Sequence, residues 1–235
     1  MTVSTIVLIG GKYDEILLKR CLDLVKWADE IIKVETDELS GSFSEWRNYG
    51  AQKATGDWLF YVDSDEEVSK ELREEIEIEL EKERFCAYAI PRKNILLGKE
   101  MKHGGWKPDY VLRLIKKEAL IKWEGELHER PEIKGEIGKL KQALIHTSHR
   151  TLTEMVEKTN KWSEIEGDLL FKSNHPKMNL IRFISVALRE FFLRFVKELC
   201  FLDGKKGIIY GIYQIYSRLI SYSKLWEKQL STIRT

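Results

Sequence analysis

The stretch Gly56-Asp57-Trp58-Leu59-Phe60-Tyr61-Val62-Asp63-Ser64-Asp65-Glu66-Glu67 most constrains what this chain can fold into. Its opening Gly-Asp is a turn signal. The unbroken apolar run Trp58–Val62 then reads as a buried strand of the parallel type, since a strand covered on both faces shows no polar alternation. Acidic residues follow at once, at Asp63, Asp65 and Glu66. Ligands of open α/β sheets bind beyond the carboxyl ends of strands. In extended backbone Asp63 and Asp65 point the same way, with Ser64 opposite. Two hard carboxylates on one side make half of a Mg²⁺ or Mn²⁺ site, whose remaining positions go to water and substrate phosphate. The same residues also suit a solvated turn capping the next helix, and the local pattern leaves both readings open.

The rest of the N-terminal half alternates around this strand. Ser4–Gly10 reads as a buried strand. Glu15–Trp27 has apolar residues at helical spacing (Ile16, Leu17, Cys21, Leu24, Val25). Glu30–Val34 is a second strand, ending in Glu35-Thr36-Asp37. A right-handed crossover makes these two strands a parallel pair. Ser44–Ala54 reads as a helix with Trp46, Tyr49, Gly50 and Lys53 around one side and Arg47 and Asn48 near its start. Ser69–Arg84 reads as a charged helix with the stripe Leu72, Ile76, Leu80 and Ser69 as N-cap. The β-α-β-α-β-α order predicts an α/β layered domain.

Beyond Phe85 the expected strands are short: Cys86–Pro91, Tyr110–Ile115 and Leu120–Trp123, with a turn-rich segment over Asn94–Gly105. Leu127-His128-Glu129 and Ala143–His146 each end in polar groups. Thr153–Phe171 reads as a helix. Leu180–Leu202 and Gly207–Tyr222 are two large apolar stretches separated by an Asp203-Gly204 turn. The expected division is a first domain over residues 1–150 and a helical extension over 151–235.

Charge is unevenly spread. The chain carries +1 overall, but residues 176–235 hold eleven basic and four acidic side chains, a net +7, which leaves −6 for the rest. Arg182, Arg189, Arg194 and Lys197 interrupt the first apolar stretch, so neither stretch reaches the roughly 18 uncharged residues of a spanning helix. The expectation is amphipathic helices lying on an anionic membrane surface, against a helical hairpin on the core or a dimer interface. Large apolar helices without a polar reading face argue against nucleic acid. Cys21, Cys86 and Cys200 lack metal-ligand spacing and read as reduced core residues of a cytosolic protein. No basic segment followed by a long apolar run opens the chain, so no signal peptide is expected.

Several motifs, in order, carry a family resemblance. They are Arg20-Cys21-Leu22 with Trp27-Ala28-Asp29-Glu30-Ile31-Ile32, Phe43-Ser44-Glu45-Trp46-Arg47-Asn48 with Ala54-Thr55-Gly56-Asp57-Trp58, and Asp63-Ser64-Asp65-Glu66. Later come Pro91-Arg92-Lys93-Asn94, Gly104-Gly105-Trp106-Lys107-Pro108-Asp109, Arg113-Leu114, Leu127-His128-Glu129, Phe201-Leu202-Asp203-Gly204 and Lys224-Leu225-Trp226. Together they resemble family-two glycosyltransferases with the GT-A fold, and most of all the small bacterial branch that adds sugars to the lipopolysaccharide inner core. The chain departs from the family pattern in having Lys12-Tyr13-Asp14-Glu15 after the first strand. It also has a shortened segment between Glu35-Thr36-Asp37 and Phe43, and it lacks the Glu-Asp pair that carries the base in many relatives.

The resemblance implies a Rossmann-like mixed sheet flanked by helices, with a C-terminal amphipathic extension. It implies inverting transfer from a nucleotide-diphosphate sugar to a hydroxyl of a lipid-linked glycan such as a lipopolysaccharide core. The enzyme is then expected in the cytoplasm, peripheral on the inner face of the cytoplasmic membrane. Asp63 and Asp65 are the expected ligands of Mg²⁺ or Mn²⁺, with His128 or His146 as a candidate third ligand. Arg47 pairs with phosphate, Glu35 or Asp37 reaches the base or ribose, and Ser64 and Arg113 complete the nucleotide-sugar set. Glu129 and Asp109 are the candidate bases. Glu129 is preferred because it follows a strand and adjoins His128, whereas Asp109 is set to pair with Arg113 at i+4. The alternative is a catalytically inactive scaffold of the same fold at the membrane surface.

Overall fold

β1 (Val3–Ile9) lies between β2 (Glu30–Glu35) and β3 (Trp58–Asp63) and runs parallel to both. The computed structural model describes residues 1–10, 13–106, 109–125 and 129–231. The first crossover carries α1 (Glu15–Leu24), started by Asp14, whose carboxylate accepts from the Ile16 and Leu17 amides. The second carries α2 (Phe43–Lys53), opened by a reciprocal capping box between Ser42 and Glu45. After α3 (Lys70–Lys82), capped by Ser69 as expected, the pairing changes sense. β7 (Tyr110–Lys116) is antiparallel both to β3 and to β5 (Ala87–Leu96).

The main sheet therefore mixes directions. Beyond β5 it continues through β11 (Leu144–Thr147) to β4 (Glu66–Glu67), and β10 (Ile137–Lys139) also pairs with β5. β8 (Leu120–Glu124) and β9 (Arg130–Ile133) form a separate antiparallel pair. Period-two alternation sorts the core. Val3, Val7, Trp58, Phe60 and Val62 pack with Cys21 and Val25 of α1 and Leu72, Ile76 and Leu80 of α3. Ile6, Leu8, Leu59 and Tyr61 pack on the other face with Val34, Ile115 and Trp123. This is the mixed sheet flanked by helices that the family resemblance implies.

Three expectations need correction. The Trp58–Val62 strand is buried on both faces, but only one of its neighbours is parallel. A one-strand hydropathy pattern records burial and is blind to the direction of the partner. The inward side of α2 is Ser44, Arg47 and Gly50, while Tyr49 and Lys53 are exposed. Glu66 and Glu67 are buried in β4 and do not form a solvated turn.

The chain divides into two compact units, Met1–Lys93 with Pro108–Thr147, and Asn94–Lys107 with Ser148–Thr235. The second holds β6 (Lys99–Glu100), paired with Ile95 and Leu96, and three helices. α4 (Leu152–Lys172) and α6 (Gly204–Ser231) are fastened by Thr159 Oγ1 and Tyr213 OH at 2.6 Å, and Tyr213 OH also donates to the Met155 carbonyl. α5 (Leu180–Phe191) begins at Asn179, whose side chain accepts from the Arg182 amide. The apolar stretch Leu180–Leu202 is not one helix. It passes into a π-helical segment at Phe192–Lys197 and a 3₁₀ turn at Cys200–Asp203, with Leu199 at φ 50°. Among the described residues, no helix is long and apolar enough to cross a membrane.

Gly50 is where α2 closes on the sheet. A Cβ there would lie 2.5 Å from Ile6 Cγ2 and 3.3 Å from Val34 Cγ2, both β-branched core side chains with little freedom. Helix propensity favours Ala over Gly by about 1 kcal/mol, but overpacking costs about 1–3 kcal/mol. We expect Gly50→Ala to be net destabilising by up to about 2 kcal/mol, read as a lower urea midpoint with unchanged slope. A midpoint at or above that of the native chain would contradict this packing.

Candidate active site

The carboxyl ends of β1, β2 and β3 are level. In register, Leu8 stands opposite Asp63 and Ile9 opposite Glu35. Glu35 and Asp63 therefore close two strands on either side of β1, about 10 Å apart at the usual interstrand spacing. Glu35 and Asp37 are exposed. The chain turns there through Thr36–Glu38, packed so tightly on Gly10 that any Cβ at that glycine would overlap Thr36 Oγ1.

Asp63 sits inside an ion network. Arg47 Nη2 donates to its Oδ1 at 2.9 Å, and Arg113 Nη2 donates to its Oδ2. Its own amide donates to Glu66 Oε2 at 3.0 Å, and Glu66 Oε1 accepts from Arg113 Nη2 at 3.1 Å. Arg47 is 1% exposed, Arg113 4% and Glu66 0%. Burial pushes the Asp63 carboxyl up, but Arg113 and then Arg47 outweigh it and hold it well below the usual carboxylate range. The same carboxylates keep the Arg113 guanidinium charged despite its burial.

Arg47 is shared. Its Nε and Nη2 both donate to Glu129 Oε1, at 3.3 and 3.2 Å, and its guanidinium carbon lies 5.0 Å from the Trp123 ring centroid and 5.8 Å from that of Tyr61. Such faces suit a desolvated cation. Its Nη1, like Arg113 Nε, is buried with no hydrogen-bond partner among the described residues. A buried donor left unpaired costs about 1–3 kcal/mol. Asn48 fixes the neighbouring strand, donating to the Trp123 carbonyl at 2.8 Å and accepting from its amide at 2.7 Å.

Asp109 does not pair with Arg113. Arg92 takes both of its oxygens, at 2.9 and 3.2 Å. The β5–β7 register explains this, since antiparallel pairing brings the ends of the two strands together across the sheet. Arg92 also lies 3.6 Å from Glu66, and so links Asp109 to the network. Sequence reasoning gave no role to Glu66, Arg92, Tyr61 or Trp123. The one available signal was the fourth residue of the acidic run.

Asp65 stands apart from Asp63. Ser64 and Asp65 form a turn, not extended backbone, so the expected same-side projection does not follow from the chain. Asp65 is 40% exposed, and His146 Nε2 lies 3.5 Å from its Oδ2. Burial disfavours charge on His146, but Asp65 and then Glu66 outweigh it and raise its proton affinity. Among the described residues no three His, Cys, Asp or Glu side chains gather as a metal cage, and His128 lies outside the described residues. Mg²⁺ accepts one or two carboxylates when substrate phosphates complete its shell. The partly exposed Asp65 fits that minimal donor set, whereas both oxygens of Asp63 are already engaged.

Because the folded-state pKa of Asp63 is depressed, its contribution to stability is complete above the ordinary carboxylate value. It is lost as pH falls toward the folded value. Asp63→Asn also leaves two buried guanidiniums short of charge. We expect this variant to be less stable at pH 7 and to lose stability less steeply than the native chain below about pH 5, by urea unfolding across a pH series. Parallel acid limbs would contradict the pairing.

The family model described as Glycosyl transferase family 2 matches residues 15–133. The chain is 24% identical over 248 residues to LpsC of Rhizobium meliloti (strain 1021), a lipopolysaccharide core biosynthesis glycosyltransferase, covering 92% of this chain and 89% of that protein. It is 23% identical over 253 residues to an uncharacterized glycosyltransferase of Rickettsia conorii, covering 94% and 89%. Among solved structures, S. aureus TarS 1-349 in complex with UDP-GlcNAc is similar at 12% identity and a TM-score of 0.47, covering 99% of this chain and 92% of that one. The family match takes in half of the chain, with Arg47, Asp63, Glu66, Arg92, Asp109, Arg113 and Glu129 all inside it, and the chain belongs to glycosyl transferase family 2.

Proposed function

We propose that the protein transfers a sugar, with inversion, from a nucleotide-diphosphate sugar to a hydroxyl of a lipid-linked glycan, such as a lipopolysaccharide core, at the inner face of the cytoplasmic membrane. The observation that carries this is the buried Arg47–Asp63–Arg113 cluster at the carboxyl end of β3, beside the open carboxylate of Asp65, in a family-two glycosyltransferase. The relative LpsC supports the choice of acceptor.

The chemistry divides between two tasks. A departing diphosphate needs positive charge, and Arg47 offers its unpartnered Nη1 in a water-poor setting. A bound Mg²⁺ or Mn²⁺ on Asp65 would neutralise further charge on the same phosphates. Glu35 and Asp37, exposed at the end of β2, would reach the base or ribose. The acceptor hydroxyl needs a base with a free lone pair. Glu129 accepts both Arg47 bonds on Oε1, which leaves Oε2 unengaged among the described residues. Both oxygens of Asp109 are committed to Arg92. Glu129 is accordingly the base and Asp109 an anchor of Arg92. The hydroxyl proton passes to Glu129 as its oxygen bonds the anomeric carbon. The bond to the diphosphate breaks on the opposite face, and the nucleoside diphosphate leaves with the electron pair.

Two measurements test this. UDP and GDP titrated calorimetrically should bind more tightly with Mn²⁺ than with chelator, and Asp65→Ala should remove that difference while keeping the native melting temperature. Equal affinity with metal and with chelator would remove the metal from the proposal. In a transfer assay scoring released nucleoside diphosphate, Glu129→Gln should lower kcat by about 10²–10⁴-fold while donor affinity is retained, and Asp109→Asn should keep most of its turnover. The reverse ranking would reassign the base. Donor binding without transfer to any lipid-linked acceptor would favour a scaffold.

A further inference from the structure

The second unit carries a helix packed on one side and bare on the other. α5 meets α6 through Phe183 and Val186 against Leu219, Tyr222, Leu225 and Trp226. Away from that contact Leu180, Ile181, Ile184, Leu188, Phe191 and Phe192 are exposed, Ile181 to 80% and Leu188 to 63%. Their spacing puts all six on one helical face. Large contiguous apolar patches of this kind mark interaction sites. We propose that this face of α5 docks in the plane of an anionic lipid bilayer, its apolar side chains at the acyl boundary and its flanking cations on lipid phosphates. The proposal rests on the lipid-linked acceptor of the proposed function for its purpose, and on the helix itself for its chemistry.

Charge selects the occupant. From Lys177 to Ile212 the exposed charged side chains are Lys177, Arg182, Arg189, Lys197 and Lys205, all positive, while of the acidic ones Glu190 and Asp203 are buried and Glu198 is half-buried. Arg182 and Arg189 are two turns apart and line one edge of the apolar face. A second copy on the same face would set cation against cation, whereas lipid phosphates neutralise them. An apolar face with Lys and Arg at its margin, on a helix too short to span, is the composition of an interfacial helix.

The helix is also rigidly held. Arg194, in the π-helical segment that continues α5, points inward. It donates to Glu190 Oε1 at 2.7 Å and to the Gly104 carbonyl at 2.8 Å. Glu190 is 3% exposed. A Cβ at Gly105 would come within 2.6 Å of Arg194 Nη1, so the Gly104–Gly105 turn fits closely around this guanidinium. The membrane-facing helix and this turn are thus parts of one fixed piece.

Flotation of the full chain with phosphatidylcholine vesicles, with and without phosphatidylglycerol, tests the docking. We expect binding to the anionic vesicles that weakens with salt. Arg182→Gln with Arg189→Gln should lower the partition coefficient by about fivefold per cation removed, and Ile181→Ser with Leu188→Ser should abolish binding. All four side chains are exposed, so both double variants should melt as the native chain does, which separates lost docking from lost fold. A native chain that stays unbound with anionic vesicles overturns the proposal, as do variants that float like it. Concentration-dependent dimers by light scattering, without vesicle binding, would assign the face to a second copy and equally overturn it. Nucleoside diphosphate binding measured without lipid is independent of this result, so failure of docking and failure of the proposed activity are told apart.

Discussion

Everything at the centre of the first unit depends on charges that cannot be buried singly. Arg47, Arg113 and Glu66 are all nearly inaccessible, and each forms an ion pair within the cluster. Removing one member of such a set costs about 3–5 kcal/mol, because its partner is left charged in a medium that solvates it poorly. The network therefore fixes more than itself. It ties α2 to the end of β3, β3 to β4 and β7, and, through Arg92, β7 to β5. The carboxyl end of β3 and the later part of β5 meet the amino-terminal half of the antiparallel β7, and the ion pairs reinforce the backbone ladders there.

That arrangement requires an unusual helix. α2 turns Ser44, Arg47 and Gly50 fully inward, while Trp46 packs on the core only partly buried and Tyr49 is exposed. Gly50 lets the helix axis approach Ile6 and Val34, and that approach carries Arg47 to the rings of Tyr61 and Trp123. Trp123 is in turn held by the Asn48 side chain one residue further along the helix. A helix with so polar an inner face is stable only because its partners are already charged. Propensity and packing would each have chosen a different face.

The second unit uses the same device on a smaller scale, at Glu190 with Arg194 and at Asp203. Asp203 is 4% exposed and accepts from the amides of Lys102 and His103 and from the His103 ring, while its carbonyl accepts from Lys99 Nζ. Burial pushes its carboxyl up, and these donors more than reverse the shift. One side chain at the start of α6 thus gathers a turn about a hundred residues earlier in the chain. The helices around it show the opposite economy. Their inner faces are filled, and the outer face of α5 is left apolar.

Local sequence was sufficient wherever one element's own chemistry decided the outcome. The apolar run of β3, the cap at Ser69 and the stripe of α3 are all properties of a few adjacent residues. The early β-α-β-α-β order followed from periodicity alone, because crossover connections leave few alternatives. The sequence also placed Asp63, Arg47, Arg113 and Glu129 among its candidates, since an acidic strand end and paired motifs are visible in one dimension. What it did not contain was their pairing. That Asp109 belongs to Arg92 and not to Arg113, that Asp63 is enclosed by two guanidiniums while Asp65 stays open, and that Glu66 is the buried centre of the set all depend on the antiparallel register of β3, β7 and β5. Register is fixed by contacts between residues tens of positions apart, and no window of sequence holds both partners. The tertiary structure alone decided which charges meet, because an ion's state is set by what surrounds it and not by what precedes it in the chain.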